Sequence, residues 1–209
     1  MAETQDKIEK PRTPLTRVIA CGALAHEILD ICKQDNLQHI DLICLPAQLH
    51  LYPDQIPDRV REAIHTARSE GISDIYIAYA DCGTGGLLDK VCKEENVERI
   101  LGPHCYSFFM GNDAFEAESD DLMLAFFLTD FLTRHFENFV IKPLALDRHP
   151  ELISDYFGNY EKLVYMAQIN DPELDEKAQW AADFLGLTYE RRFTGYGDLS
   201  KSLNRPTSK

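Results

Sequence analysis

The stretch Asp74-Ile75-Tyr76-Ile77-Ala78-Tyr79-Ala80-Asp81-Cys82-Gly83-Thr84-Gly85-Gly86 decides the fold. Its first seven residues are rich in isoleucine and tyrosine, as a buried strand requires. That strand runs straight into a glycine-rich turn, and Leu87 to Glu95 then takes helical spacing. Strand, tight turn and helix in this order make the opening half of a β-α-β unit. The same order recurs to either side. Thr16 to Ala20 reads as a short strand, followed by Cys21-Gly22 and a helix over Ala23 to Lys33 with Leu24, Ile28 and Ile31 on one face. His39 to Leu45 reads as a buried strand stopped by Pro46, and Asp58 to Glu70 as an amphipathic helix closed by Gly71. Glu98 to Leu101 is a fourth strand and Leu163 to Gln168 a fifth. Phe126 to Phe139 is expected to form one long apolar helix and Pro150 to Phe157 another. Pro172 to Leu185 is a helix with Asp171 as its cap and Pro172 in its first position. The pattern predicts an α/β fold: an open, mostly parallel sheet with helices on both faces. Its ligand site is expected at the C-terminal edge of the strands, where such sheets form their crevices.

A chain of 209 residues fits one domain of roughly 150 residues with appendages. Residues 1–14 read as a flexible polar lead-in, 15–199 as a single α/β domain and 200–209 as a polar tail. Asp and Glu number 35 against 21 Lys and Arg, for a formal charge of −14. So acidic a surface repels phosphate backbones and anionic bilayers, so neither nucleic acid nor membrane is an expected partner. No apolar run approaches the roughly 18–20 residues that cross a bilayer. The first residues lack the apolar centre of an export signal, so a cytoplasmic location is expected. The six cysteines are then expected to be thiols or metal ligands, not disulfides.

Where the cysteines fall matters most. Cys21, Cys82 and Cys105 each lie just past a strand end. In a parallel sheet those ends share one edge, so the three thiols are expected to meet. His50 follows the second strand and His104 adjoins Cys105, so both are imidazole candidates, with His104 the stronger. Thiolates plus an imidazole are a soft ligand set suited to zinc, or to an iron–sulfur cluster when all three cysteines bind. The expected metal ligands are Cys21, Cys82, Cys105 and His50, with Cys82 and His104 as the catalytic pair. Without a close-spaced pair of cysteines, neither a zinc ribbon nor a ferredoxin is predicted. Cys32 and Cys92 fall in helices and Cys44 in a strand, and packing explains all three.

The turn through Gly83, Thr84, Gly85 and Gly86 can present backbone N–H groups to an anion at a helix start. Arg148, in Asp147-Arg148-His149-Pro150-Glu151, is a second anion contact on the same reading, although Asp147 and Pro150 also suit a plain helix start. Neither dinucleotide-binding nor P-loop fingerprints are present. Thr129-Asp130 sits within an apolar run, and a buried aspartate requires a partner, for which Arg134 is the nearby candidate.

Several segments taken together are familiar: Ala20 to Leu24, Leu45-Pro46 with Leu49-His50, Asp81 to Gly86, Gly102 to Tyr106, Phe127 to Leu132, and Leu146 to Leu152. In this order they resemble a family catalogued as domain of unknown function 1638, over nearly the whole of Leu15 to Leu199. The resemblance implies a role beside corrinoid-dependent methyl transfer, with a corrinoid protein or methyltransferase as partner. The Asp-x-His-x-x-Gly pattern by which many corrinoid proteins hold cobalt is missing from this sequence. The expectation is a zinc protein acting on a small anionic or thiol substrate in one-carbon metabolism, as a metal-dependent methyltransferase if it is an enzyme. An iron–sulfur protein and a non-enzymatic accessory subunit that delivers metal or corrinoid are the alternatives.

Overall fold

The computed structural model describes residues 15–205. The lead-in expected over residues 1–14 lies outside them, as does the end of the expected tail. The chain forms two parallel sheets. The first contains β1 (Thr16–Cys21), β2 (Ile40–Leu45), β3 (Asp74–Ala78) and β4 (Glu98–Arg99), in spatial order β2-β1-β3-β4. Three helices connect these strands: α1 (Ala25–Gln34), α2 (Ile56–Ser69) and α3 (Leu87–Glu94). Three short helices follow, α4 (Cys105–Met110), α5 (Asn112–Ala117) and α6 (Ser119–Leu122). The second sheet has the order β5-β6-β7, from β5 (Ala125–Thr129), β6 (Lys162–Ala167) and β7 (Thr188–Phe193). Between and after its strands lie α7 (Asp130–Arg134), α8 (Ile153–Phe157), α9 (Pro172–Leu185) and α10 (Gly197–Leu203). The α/β class is therefore as expected, with its strands divided between two sheets. No helix among the described residues is long and apolar enough to cross a membrane.

β1 is the axis of the first sheet, with all six of its residues buried. Its one cation, Arg17, is tolerated there because Asp41 at 2.7 Å and Glu70 at 2.8 Å neutralise it. One apolar core surrounds this sheet, with Ile19, Ile28, Ile56, Ile64 and Ile77 fully covered. A second core lies between the second sheet and α9, around Leu163, Tyr165, Ala178 and Ala182.

The long helix expected over Phe126 to Phe139 is instead a strand, a short helix and a π-helical turn at Glu137–Ile141. An apolar run alone does not separate a buried strand from a buried helix. Here the aromatic, β-forming Phe126 and Phe127 favour the strand. Thr129 then starts α7, its hydroxyl accepting the N–H of Leu132. β7 escapes the sequence reading because Glu190, Arg191 and Arg192 interrupt any apolar pattern. Those charges are paired at the sheet edge, Arg191 with Asp175 and Arg192 with Glu118, both at 2.6 Å. The polar tail expected from Ser200 also needs revision. The chain there is still helical, and Leu199 and Leu203 are buried in the first core. The cause is amphipathic spacing: two leucines four residues apart share one helix face. α10 thereby carries the chain back to pack on α1 and α4. Asp198 accepts the N–H of Asn112 at 2.9 Å, and the Arg205 guanidinium lies 4.3 Å from the Tyr76 ring centre.

The C-terminal edges of the two sheets meet. The 3-10 turn Gly22–Leu24 beyond β1 contacts α7 beyond β5. Tyr196, beyond β7, donates its hydroxyl to Asp30 of α1 at 3.0 Å. Phe131 and Phe139 of the second half pack against the first core.

Candidate thiol site at the sheet edges

Cys21 ends β1 and is buried. Its sulfur accepts the N–H of Ala23 at 3.3 Å and so caps the turn that follows. It also lies 3.6 Å from Nδ1 of His50. Pro46 stops β2, and the 3-10 turn Ala47–Leu51 swings His50 back over the end of β1. His50 Nδ1 is 3.2 Å from the Ala47 carbonyl oxygen, and burial lowers the pKa of the ring. At neutral pH the imidazole is therefore uncharged, the form in which histidine binds metals. Tyr79 is fully buried and stacks on His50, ring centres 6.4 Å apart and nearly parallel. Its hydroxyl lies beside Cys21 without a satisfied hydrogen bond, and burial raises its pKa.

Cys82 and Cys105 come together by a backbone clasp. The turn after β3 is bound to the loop after β4: Asp81 N–H donates to Gly102 at 3.0 Å, and Cys82 N–H to Pro103 at 2.8 Å. Cys105 begins α4 two residues later. Cys82 holds a φ of +51°, in the left-handed region that costs a residue with a side chain about 1 kcal/mol.

Burial pushes Cys21 up to about 12, with Cys82 adding to the rise. Burial and then the Asp81 carboxylate push Cys82 up to about 12. Burial, Cys82 and Cys21 together raise Cys105 well above the ordinary thiol value. All three are therefore neutral thiols at physiological pH, although Arg99 offsets part of the rise at Cys82. A soft cation among them would reverse that balance, because it stabilises the thiolate. Among the described residues, no group of three or more His, Cys, Asp or Glu side chains is already arranged around a common point to hold a metal ion.

The remaining candidates lie elsewhere or are otherwise engaged. His104 packs between Tyr106 and Phe115, each with its ring centre 5.1 Å away. Its Nδ1 is buried without a partner, and burial lowers its pKa. The imidazole beside a thiol is thus His50. The turn through Gly83, Thr84, Gly85 and Gly86 folds around its own aspartate. Asp81 accepts the Thr84 hydroxyl at 2.6 Å, the Gly86 N–H at 2.9 Å and the Gly85 N–H at 3.2 Å. Burial works against the Asp81 charge, yet these bonds hold its carboxyl below the usual range. Donors already bound to a carboxylate do not cradle a second anion, so the expected anion site is corrected to an internal Asx-type turn. Arg148 is exposed in the loop ahead of α8 and pairs loosely with Asp147 at 3.8 Å.

Sequence reasoning missed two further groups where the edges meet. Glu27 of α1 is only 4% exposed, and its Oε2 has no hydrogen-bond partner. Burial, with the nearby Asp130, pushes its carboxyl up to about 7, and Arg134 offsets part of the rise. The signal was available, because Glu27 lies three residues after Leu24 and four before Ile31, on the buried face. Asp130 is buried as expected, but its bonded partners are not Arg134. It accepts the Tyr165 hydroxyl at 2.7 Å and the N–H groups of Gln168 and Ile169, both at 3.1 Å.

No curated protein and no solved structure matches this chain. The profile of one family, described as a protein of unknown function (DUF1638), matches residues 44–203. His50, Cys82 and Cys105 lie inside that span, and Cys21 precedes it. With most of its length matched, the chain belongs to the DUF1638 family.

Proposed function

We propose that this protein binds a soft metal ion, zinc first, through Cys21, Cys82 and Cys105 with His50 as the imidazole. The observation that carries the reading is the placement of three thiols beyond three separate strand ends, Cys21 buried and Cys82 and Cys105 partly so. Buried neutral thiols grouped beside a neutral imidazole are a store of soft donors that ionise when a cation arrives. Closing around an ion requires side-chain rotation at Cys21, whose sulfur now caps the Gly22–Leu24 turn. A bound ion supplies Lewis acidity and keeps a sulfur ionised at neutral pH. A thiolate held in this way accepts a methyl group, which is the chemistry a role in one-carbon transfer asks of it. Tyr79 and His50 wall the site and exclude water from Cys21. A thiol or small anionic substrate is the expected reactant, and a corrinoid protein or methyltransferase the expected partner.

Elemental analysis of anaerobically purified protein tests the reading. The expected result is near-stoichiometric zinc in the unmodified protein, lost in Cys82→Ala and Cys105→Ala and kept in Cys44→Ala, whose thiol is exposed on β2. A brown protein carrying iron and sulfide would replace zinc with a cluster on the same cysteines. Equal, substoichiometric metal in all forms would overturn the proposal.

A further inference from the structure

β2 is an apolar strand only partly covered: Ile40, Leu42 and Leu45 pack against the first core, while Ile43 and Cys44 stand exposed. Five of its six residues, Ile40, Leu42, Ile43, Cys44 and Leu45, are apolar, yet none of the six is buried. Ile43 is 39% exposed and Cys44 is exposed, whereas every residue of its neighbour β1 is buried. β2 is also the outer strand of its sheet, so among the described residues the backbone groups on its far side have no strand to pair with. Beyond its end Leu51 and Tyr52 stand out into solvent and extend the apolar rim. Between β2 and α2 lies a groove of about 350 Å³, floored by Ile43, Leu45, Pro46 and Ala63.

The other three sheet edges are protected, as monomeric sheets require. β4 is two residues long, and Arg99 covers the carbonyls beyond it, donating to Ile100 at 2.8 Å and toward Gly102 at 3.4 Å. β7 carries Glu190, Arg191 and Arg192. On β5 the two phenylalanines are covered, Phe126 by Phe157 and Tyr160, and Phe127 by Tyr106 and Phe115.

We propose that the β2 edge is the interface between two copies of this chain, joined by antiparallel pairing of β2 with β2 about a two-fold axis. A second copy fits because the strand is complementary to itself. Its one charge is Asp41, which Arg17 already neutralises. A two-fold through facing copies of Ile43 places Asp41 opposite the partner's Leu45 and never opposite its own image. The groove rim offers both signs, Arg59 and Glu62, which two copies can exchange. Elsewhere a chain of charge −14 repels itself, so an uncharged edge is where two copies can approach. β2 leads directly into the turn carrying His50, so the interface would border the thiol site and restrict access to it from that side.

Sedimentation equilibrium on the full chain tests this, with circular dichroism as the folding control. The expected mass is twice the 23.9 kDa of the chain. Ile43→Lys and Tyr52→Glu, both at exposed positions, should reduce it to the single-chain mass with the fold intact. Phe193→Lys, on the exposed end of β7, should leave it doubled. In the paired arrangement the two Cys44 α-carbons lie roughly 8 Å apart, from a strand spacing of about 4.8 Å and a rise of about 3.4 Å per residue. A short bismaleimide should therefore link two unmodified chains and fail with Cys44→Ser. A single-chain mass at high protein concentration would overturn the proposal. So would a dimer that survives both β2-edge variants.

Discussion

The two sheet edges that meet at the centre of the molecule solve the same problem differently. At the second sheet, buried Asp130 has three bonded donors, from Tyr165, Gln168 and Ile169. At the first, Cys21, Cys82 and Cys105 are neutral thiols raised by burial, and the Tyr79 hydroxyl has no hydrogen-bond partner among the described residues. A buried polar group with all its bonds made is structure. A set of groups left short of partners is where a ligand has something to gain. On the proposed reading the second edge is scaffold and the first is where a ligand would bind.

The largest effect that would sharpen this contrast is expected at Asp130. Asp130→Ala leaves three buried donors unpaired, each costing about 1–3 kcal/mol, so urea unfolding should show a loss of roughly 4 kcal/mol. Cys105→Ala in metal-free protein should cost clearly less. If the cysteine variant proves as costly as the aspartate variant, the thiols are structural and the contrast fails.

Next comes Glu27, which belongs to the first half but faces the second. Its folded pKa of about 7 lies above the ordinary 4.5, so the folded protein holds that proton more tightly than the unfolded chain. The associated stability is complete below the unfolded value and is lost as pH rises through the folded one. Unfolding between about pH 5 and pH 8 should show a decline of roughly 3 kcal/mol in the unmodified protein, and Glu27→Gln should flatten it. An unchanged slope in the variant would mean that the meeting edges carry no proton-linked strain.

The smallest effect concerns Cys82. Its left-handed backbone suits glycine, so Cys82→Gly should stabilise the metal-free fold by about 1 kcal/mol in thermal unfolding while removing a proposed ligand. Stability and chemistry would then pull this position in opposite directions. A destabilised glycine variant would instead make the Cys82 side chain a packing element.

How much of this the sequence disclosed depended on the kind of signal. Asp171 with Pro172 and the Ile75–Tyr79 pattern act locally, and α9 and β3 follow them closely. The placement of Cys21, Cys82 and Cys105 beyond strand ends was legible because the strands were, but no three-ligand group is assembled from them among the described residues. The choice between His50 and His104 was not, because it depends on which way a loop turns after its strand. In the same way the glycines at 83, 85 and 86 suggested free donors, whereas Asp81 four and five residues before two of those amides had already claimed them. Charged β7 and the division into two sheets arise from tertiary pairing, which leaves no local trace.

The return of α10 to the first half also bears on how the chain is made. Leu199 and Leu203 leave the ribosome long after β1, yet they fill the core built around it. The first sheet therefore waits, incomplete, until they emerge. Its apolar surface is available to chaperones until α10 seals it, and truncation ahead of Leu199 would harm the first half of the fold most.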